Sequence, residues 1–200
     1  LNDEQLFWQY KDASNSIAVM AKHLWGNMMS RWTDFLTTDG EKDFRKRDEE
    51  FELRVGPSLQ GVDTDNAEGV DNDAEGVNNI AEGVNNTAEG VNEHSRAVIT
   101  EKWEQGWACL FTALDSINED NFDTTIYIRN QGHSIPETIN RQMMHYAYHV
   151  GQMVYLGRMM KGEDWQSLSI PKGNSKAYNA EKFSQEKGKR HFTAEYLGKN

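Results

Sequence analysis

The sequence predicts an all-α fold. Three long apolar stripes recur at three- and four-residue spacing, and 37% hydrophobic composition supplies enough material for a core. One short β-prone stretch is the exception. The 200 residues suit one domain with an insertion.

The first stripe is Ile17, Met20, Leu24, Met28, Trp32 and Phe35, an amphipathic helix of roughly five turns. Asn15 and Ser16 stand ahead of it as caps, and Gly40 follows its end. The charged run from Glu41 to Glu52 reads as a short helix or an ordered loop. The second stripe is Ala97, Ile99, Trp103, Trp107, Leu110, Phe111, Leu114 and Ile117, predicting a helix from about Ser95 to Ile117. Its aromatics sit at i,i+4 and read as core packing. Asn118 to Asn121 breaks it.

Thr124 to Arg129 is β-prone, Asn130-Gln131-Gly132 signals a turn, and His133-Ser134-Ile135 completes a small hairpin. Pro136 fits the first turn of a third helix. Ile139, Met143, Tyr146, Val150, Met153, Leu156 and Met160 carry that helix to Gly162. From 164 to 200 the chain reads as an extended tail that docks partly through Trp165, Leu168 and Ile170. Its last thirty residues hold seven basic and three acidic side chains and read as solvated.

Between the first two long helices lies an internal repeat of period seven. Ala67-Glu-Gly-Val-Asp-Asn-Asp recurs with small changes from Ala74, Ala81 and Ala88. The stretch 56–94 contains nine of the 32 acids and no Lys or Arg. The net charge of −11 is therefore local, and the other 161 residues carry −2. A glycine in every heptad weighs against a coiled coil. The run Asp71-Asn-Asp73-Ala-Glu75-Gly76 with Glu82 approaches a calcium loop, but no amphipathic helix flanks it. The stretch reads as a flexible acidic surface insertion, disordered and grown by repeat expansion.

Other classes are set aside on composition. No run approaches ~18 apolar residues, so no membrane helix is expected. The acidic balance argues against a nucleic-acid binder. Cys109 stands alone and fits a reducing, cytoplasmic setting.

The chemistry-bearing constellation is histidine. His145 and His149 lie one turn apart on the third long helix, so both project from one face and can grip one ion. The residue after His145 is Tyr146, so the metalloprotease signature is absent. The stripe Ile135, Ile139, Gln142, His145, His149, Gln152 and Leu156 borders the apolar face. His23 sits mid-way along the first helix at its apolar edge. If those helices pack side by side, three imidazoles converge and leave an open fourth position. His94, His133 and His191 read as surface residues, and the methionines as adaptable core.

Ser16-Ile-Ala-Val-Met-Ala-Lys-His23-Leu-Trp-Gly-Asn27 and His145-Tyr-Ala-Tyr-His149-Val-Gly-Gln152 resemble the two histidine helices of the DinB-like superfamily. That group includes bacillithiol S-transferases and mycothiol-dependent maleylpyruvate isomerase. Ser30 to Gly40 and Trp165 to Pro171 resemble an uncharacterised bacterial branch of it. The similarity spans 1–51 and 96–183. It implies an up-down four-helix bundle holding one divalent metal, zinc or nickel, on His23, His145 and His149, in a chain that often forms a homodimer.

The resemblance further implies a metal-dependent enzyme, a thiol S-transferase or a hydrolase, with a low-molecular-weight thiol as partner. The alternative is a non-catalytic metal-binding stress-response module. No catalytic residue is assigned; Asn27, Gln142, Tyr148 and Gln152 are candidates to orient ligands or substrate. Leu1 to Trp8 looks like the segment after the family's first helix, so that helix is expected ahead of residue 1 or from elsewhere. The repeat occupies the connection between the second and third family helices, where added length costs little.

Overall fold

Ser16 starts the first long helix, α2 (Ile17–Trp32), by accepting the amide proton of Val19 at 3.1 Å. A short helix, α1 (Asp3–Phe7), precedes it and carries a reciprocal Asn2–Gln5 capping box. The computed structural model describes residues 1–11, 13–51, 95–189, 191 and 193. The repeat with its calcium-like run, and His94, lie outside the described residues.

α3 (Arg96–Asp115) is capped by Ser95, two residues short of the predicted Ile117 end. It lies close to α2 because Gly106 has no side chain. A Cβ there would stand 3.0 Å from Met28 Sδ and 3.3 Å from Trp25 Cα. Strands β1 (Ile126–Ile128) and β2 (Gln131–His133) pair antiparallel, with Ile126 opposite His133. The hairpin turn is Arg129-Asn130, at φ 54° and 61°, and not the expected Asn130-Gln131-Gly132. Two consecutive left-handed residues match the twist of a two-residue hairpin, and this moves Gln131 and Gly132 into the strand.

α4 (Ile135–Lys161) is the longest helix among the described residues. Glu137 reaches back to the Ser134 amide at 2.8 Å, and Ser134 Oγ accepts the Glu137 amide at 3.3 Å.

The chain divides into two compact units, Leu1–Met160 and Lys161–Asn200. In the first, Leu24, Met28, Trp32, Phe35, Leu110, Ala113, Ile126, Ile135 and Tyr146 form the main core cluster. Ala18, Val19, Ala21 and Ile99 form another, with Leu6, Phe7 and Phe51 packed against it. α2 is the central element, with thirteen of its sixteen residues buried. The reading of the methionines as core holds for Met28, whereas Met143, Met144 and Met159 are exposed. In the second unit a 3-10 turn (Gly162–Asp164) and a nine-residue helix, α5 (Ser175–Phe183), replace part of the expected extended tail. Leu168 is 66% exposed, so it does not anchor as expected. No described helix is long and apolar enough to cross a membrane.

The segment from Thr33 to Phe51, which follows α2, matters most for the site. After Thr33, Asp34 turns the chain at φ 47°. The chain then folds back: Ser30 Oγ donates to the Gly40 carbonyl at 2.9 Å and accepts the Lys42 amide at 3.1 Å. The Gly40 amide donates to the Tyr127 carbonyl at 2.8 Å, joining the segment to the hairpin. It ends in a 3-10 turn, Asp48–Phe51, lying against α2.

Candidate metal centre

Helix geometry places His145 and His149 on one face of α4, and burial of the α2 core stripe brings His23 up to them. His23 is 4% exposed. Its Nε2 lies 3.2 Å from His145 Nε2. The ring centroids are 5.2 Å apart for His23 and His145, 5.0 Å for His23 and His149, and 4.8 Å for His145 and His149. One ligand atom from each ring lies within 4.8 Å of the others, so the three form a group that could hold a metal ion.

The chemistry of these donors fits such an ion. His23 donates Nδ1–H to Glu50 Oε2 at 2.8 Å, and His149 donates Nδ1–H to Gln152 Oε1 at 2.8 Å. With the proton fixed on Nδ1, each ring offers Nε2 as a lone pair. A tetrahedral ion with metal–nitrogen bonds of about 2.05 Å has edges of about 3.3 Å, close to the His23–His145 spacing. Two facing lone pairs at that distance repel unless a proton or a cation lies between them.

Electrostatics favours the neutral form of the two α4 rings. His145 is pushed down to about 4 by burial first, then by the neighbouring His149 and His23. His149 is also lowered, by burial and by His23, against the opposing hydrogen bond from its ring to Gln152. Both are therefore in the ligating form at neutral pH.

This sets a pH dependence for the metal-free protein. Unfolded His145 takes up its proton near pH 6.5, while the folded form waits until about 4. Between these values the unfolded state binds more protons, so stability falls as pH drops from 6.5 to 4. The half-buried ring is partly screened, so the loss expected from this group is on the order of 1 kcal/mol. Urea melts at pH 7, 5.5 and 4.5 measure it, and His145→Phe should flatten that part of the profile.

Glu50 is the residue that sequence patterning does not single out. It is one of six acids between Glu41 and Glu52, with nothing in the spacing to separate it from the rest. The fold-back at Ser30 and Gly40 delivers it, 5% exposed, to His23. Arg45 clamps it with Nε to Oε1 at 2.8 Å and Nη2 to Oε2 at 3.0 Å. Burial alone would raise the Glu50 carboxyl. The hydrogen bonds from His23 and Arg45 outweigh it and hold the group below the usual carboxylate range. Gly26 makes room, since a Cβ there would overlap Glu50 Oε1 and stand 2.9 Å from its Cδ.

The remaining candidates separate into two groups. Tyr148 and Gln152 are exposed and chained to the site, with Gln152 Nε2 donating to Tyr148 OH at 3.1 Å. Asn27 and Gln142 are 6% and 3% exposed, and their side-chain oxygens have no hydrogen-bond partner. His133 lies beside Arg141 Nη1 at 3.2 Å, and His191 is exposed.

Fold and site together define a mostly helical protein with a three-histidine group between two of its long helices. A family model described as "protein of unknown function (DUF1572)" matches residues 1–64 and 76–174. The chain belongs to that family, which is DinB-like. No curated protein and no solved structure matches the chain.

Proposed function

We propose that this protein is a divalent-metal-dependent enzyme of the DinB-like type that transfers a low-molecular-weight thiol to an electrophile. The observation that supports this is the convergence of three imidazoles, two of them with Nδ1 tied back so that Nε2 is free to ligate. In this reading the ion is zinc or nickel, one per chain. It would supply a Lewis acid that favours the thiolate over the thiol. Glu50 and Arg45 hold the His23 ring in orientation, and Gln152 holds His149. Tyr148 accepts from Gln152, so its own proton stays available to a substrate at this 62% exposed side chain.

The reading also includes a four-helix bundle, to which α2, α3 and α4 contribute three helices, and a cytoplasmic homodimer. The exposed Met144, Tyr155 and Met159 are the apolar surface such a dimer would use. A non-catalytic metal-binding module is the second reading. What favours it is that Glu50, the carboxylate bonded to the cluster, has both oxygens occupied and is not free to act as a base.

Metal analysis of the untagged protein tests the first step. About one zinc or nickel per chain is expected, with His145→Ala or His149→Ala reducing it to near zero. Protein that carries no metal and takes up none at micromolar concentration sinks the reading. With the metal-loaded protein, a panel of thiols and electrophiles then separates the two readings. Turnover supports the transferase, and its complete absence supports the binding module.

A further inference from the structure

α4 carries apolar side chains on two opposite faces. The inner face supplies Ile135 and Tyr146 to the core. On the outer face Met144, Tyr148, Tyr155 and Met159 are 72%, 62%, 66% and 54% exposed. At about 100° per residue, these four and Gly151 fall within an arc of about 80°, along about 22 Å of helix. An apolar stripe of that length on a water-facing helix calls for a partner.

The spacing of the stripe says which partner. Met144 and Met159 lie equally far from the midpoint between Gly151 and Gln152, and so do Tyr148 and Tyr155. In a two-fold contact between identical chains, residue i meets residue j while j meets i. Two α4 helices laid antiparallel about that midpoint set Met on Met and Tyr on Tyr, each twice. A partner of another sequence imposes no such symmetry. Gly151 stands at the midpoint, exposed, although glycine is a poor helix former. Its own copy does not require it, since nothing lies within 4 Å of a Cβ built there. A second backbone crossing close by does. Arg141 and Arg158 fall on opposite edges of the stripe, so the symmetric contact keeps these like charges apart. The four exposures amount to about 500 Å² per copy, and about 1,000 Å² for the pair reaches the lower bound of a specific interface.

We propose that α4 pairs antiparallel with α4 of a second copy, crossing it at Gly151 and Gln152. This rests on the dimer reading above and adds the faces that meet, their direction and what each copy brings to the other's site. The partner's Tyr155 packs on the ring of Tyr148, whose hydroxyl accepts from Gln152, the residue that holds His149. Gln152 lies on the His149 edge of the stripe. It draws the hydroxyl to that edge, so the ring meets the partner while the hydroxyl stays open to substrate. Each copy thus supplies one wall beside the other's histidines.

Sedimentation equilibrium on the full chain, metal-loaded and stripped, tests the contact, and disulfide mapping tests its direction. The unaltered protein should be a dimer that dissociates in the micromolar range. Gly151→Leu should weaken pairing about tenfold or more, because the backbones can no longer approach. Its metal content should stay at the wild-type level, and its monomer should remain folded, since the added side chain meets nothing in its own copy. For direction, copies carrying Met144→Cys are mixed with copies carrying Met159→Cys under mild oxidation. Peptide mass spectrometry should find the link between positions 144 and 159 in the mixture, and little self-linking of either variant alone. Self-links at 144 and at 159 in place of the mixed link overturn the proposal while the dimer reading stands. So does a dimer whose dissociation constant is unmoved by Gly151→Leu. A monomer at every concentration up to hundreds of micromolar overturns both.

Discussion

Replacing Glu50 with Ala should cost about 3–5 kcal/mol of stability, the range measured when one partner of a buried ion pair is removed. Arg45 and Glu50 have side chains only 4% and 6% exposed, so the lost carboxylate leaves a buried guanidinium without its partner. A domain with 5–15 kcal/mol in total feels that strongly. The same substitution frees the His23 ring to rotate and to change tautomer, because Glu50 Oε2 is the acceptor for its Nδ1–H. Metal affinity should fall about 10- to 100-fold. Glu50→Gln keeps an acceptor and the shape but loses the charge, so it should fall between the two. Urea melts of metal-free protein read the first effect, and competition against a chromophoric chelator reads the second. A stability change under about 1 kcal/mol with unchanged metal affinity would remove Glu50 from the site.

Gly26→Ala should destabilise, against the ordinary expectation for a glycine inside a helix. Helix propensity alone favours Ala by about 1 kcal/mol. The added methyl, however, would occupy the place of Glu50 Oε1. Glu50 is not a loose end that can swing aside, since Arg45 and His23 hold both its oxygens. Expelling the carboxylate reproduces most of the Glu50→Ala cost, and the propensity gain offsets about 1 kcal/mol of it, so the net loss expected is about 2–4 kcal/mol. A double-mutant cycle decides the cause. In the Glu50→Ala background the clash is gone, so Gly26→Ala should become neutral or stabilising. A loss of equal size in both backgrounds would place the clash somewhere other than Glu50.

The helices were legible because their signals are local. Ser16 and Ser95 do the capping that their positions suggest, and the stripe through Leu24, Met28 and Trp32 is the core face of α2. The hairpin was legible in kind but not in register. The residues that leave the extended conformation are Arg129 and Asn130, and glycine content drew the expectation one residue too far. The exposed face of α4 was not legible at all. Met143, Met144 and Tyr155 look like core residues in a list of hydrophobics, yet they lie in solvent. Periodicity identifies an apolar face without stating what covers it.

For the candidate site, the sequence by itself determined the pair. His145 and His149 must share a face because a helix has 3.6 residues per turn. Their meeting with His23 depended on packing between helices more than a hundred residues apart, which spacing proposes and only the tertiary structure decides. Glu50, Arg45 and the clearance at Gly26 belong wholly to that second kind of information. The fold-back after Asp34 is held by single hydrogen bonds from Ser30 and Gly40, which set no periodic pattern. A carboxylate drawn from six similar ones becomes the partner of His23 because of where that segment ends and because a glycine stands opposite. Local chemistry writes the elements into the chain, and burial against distant neighbours selects which polar groups are brought together.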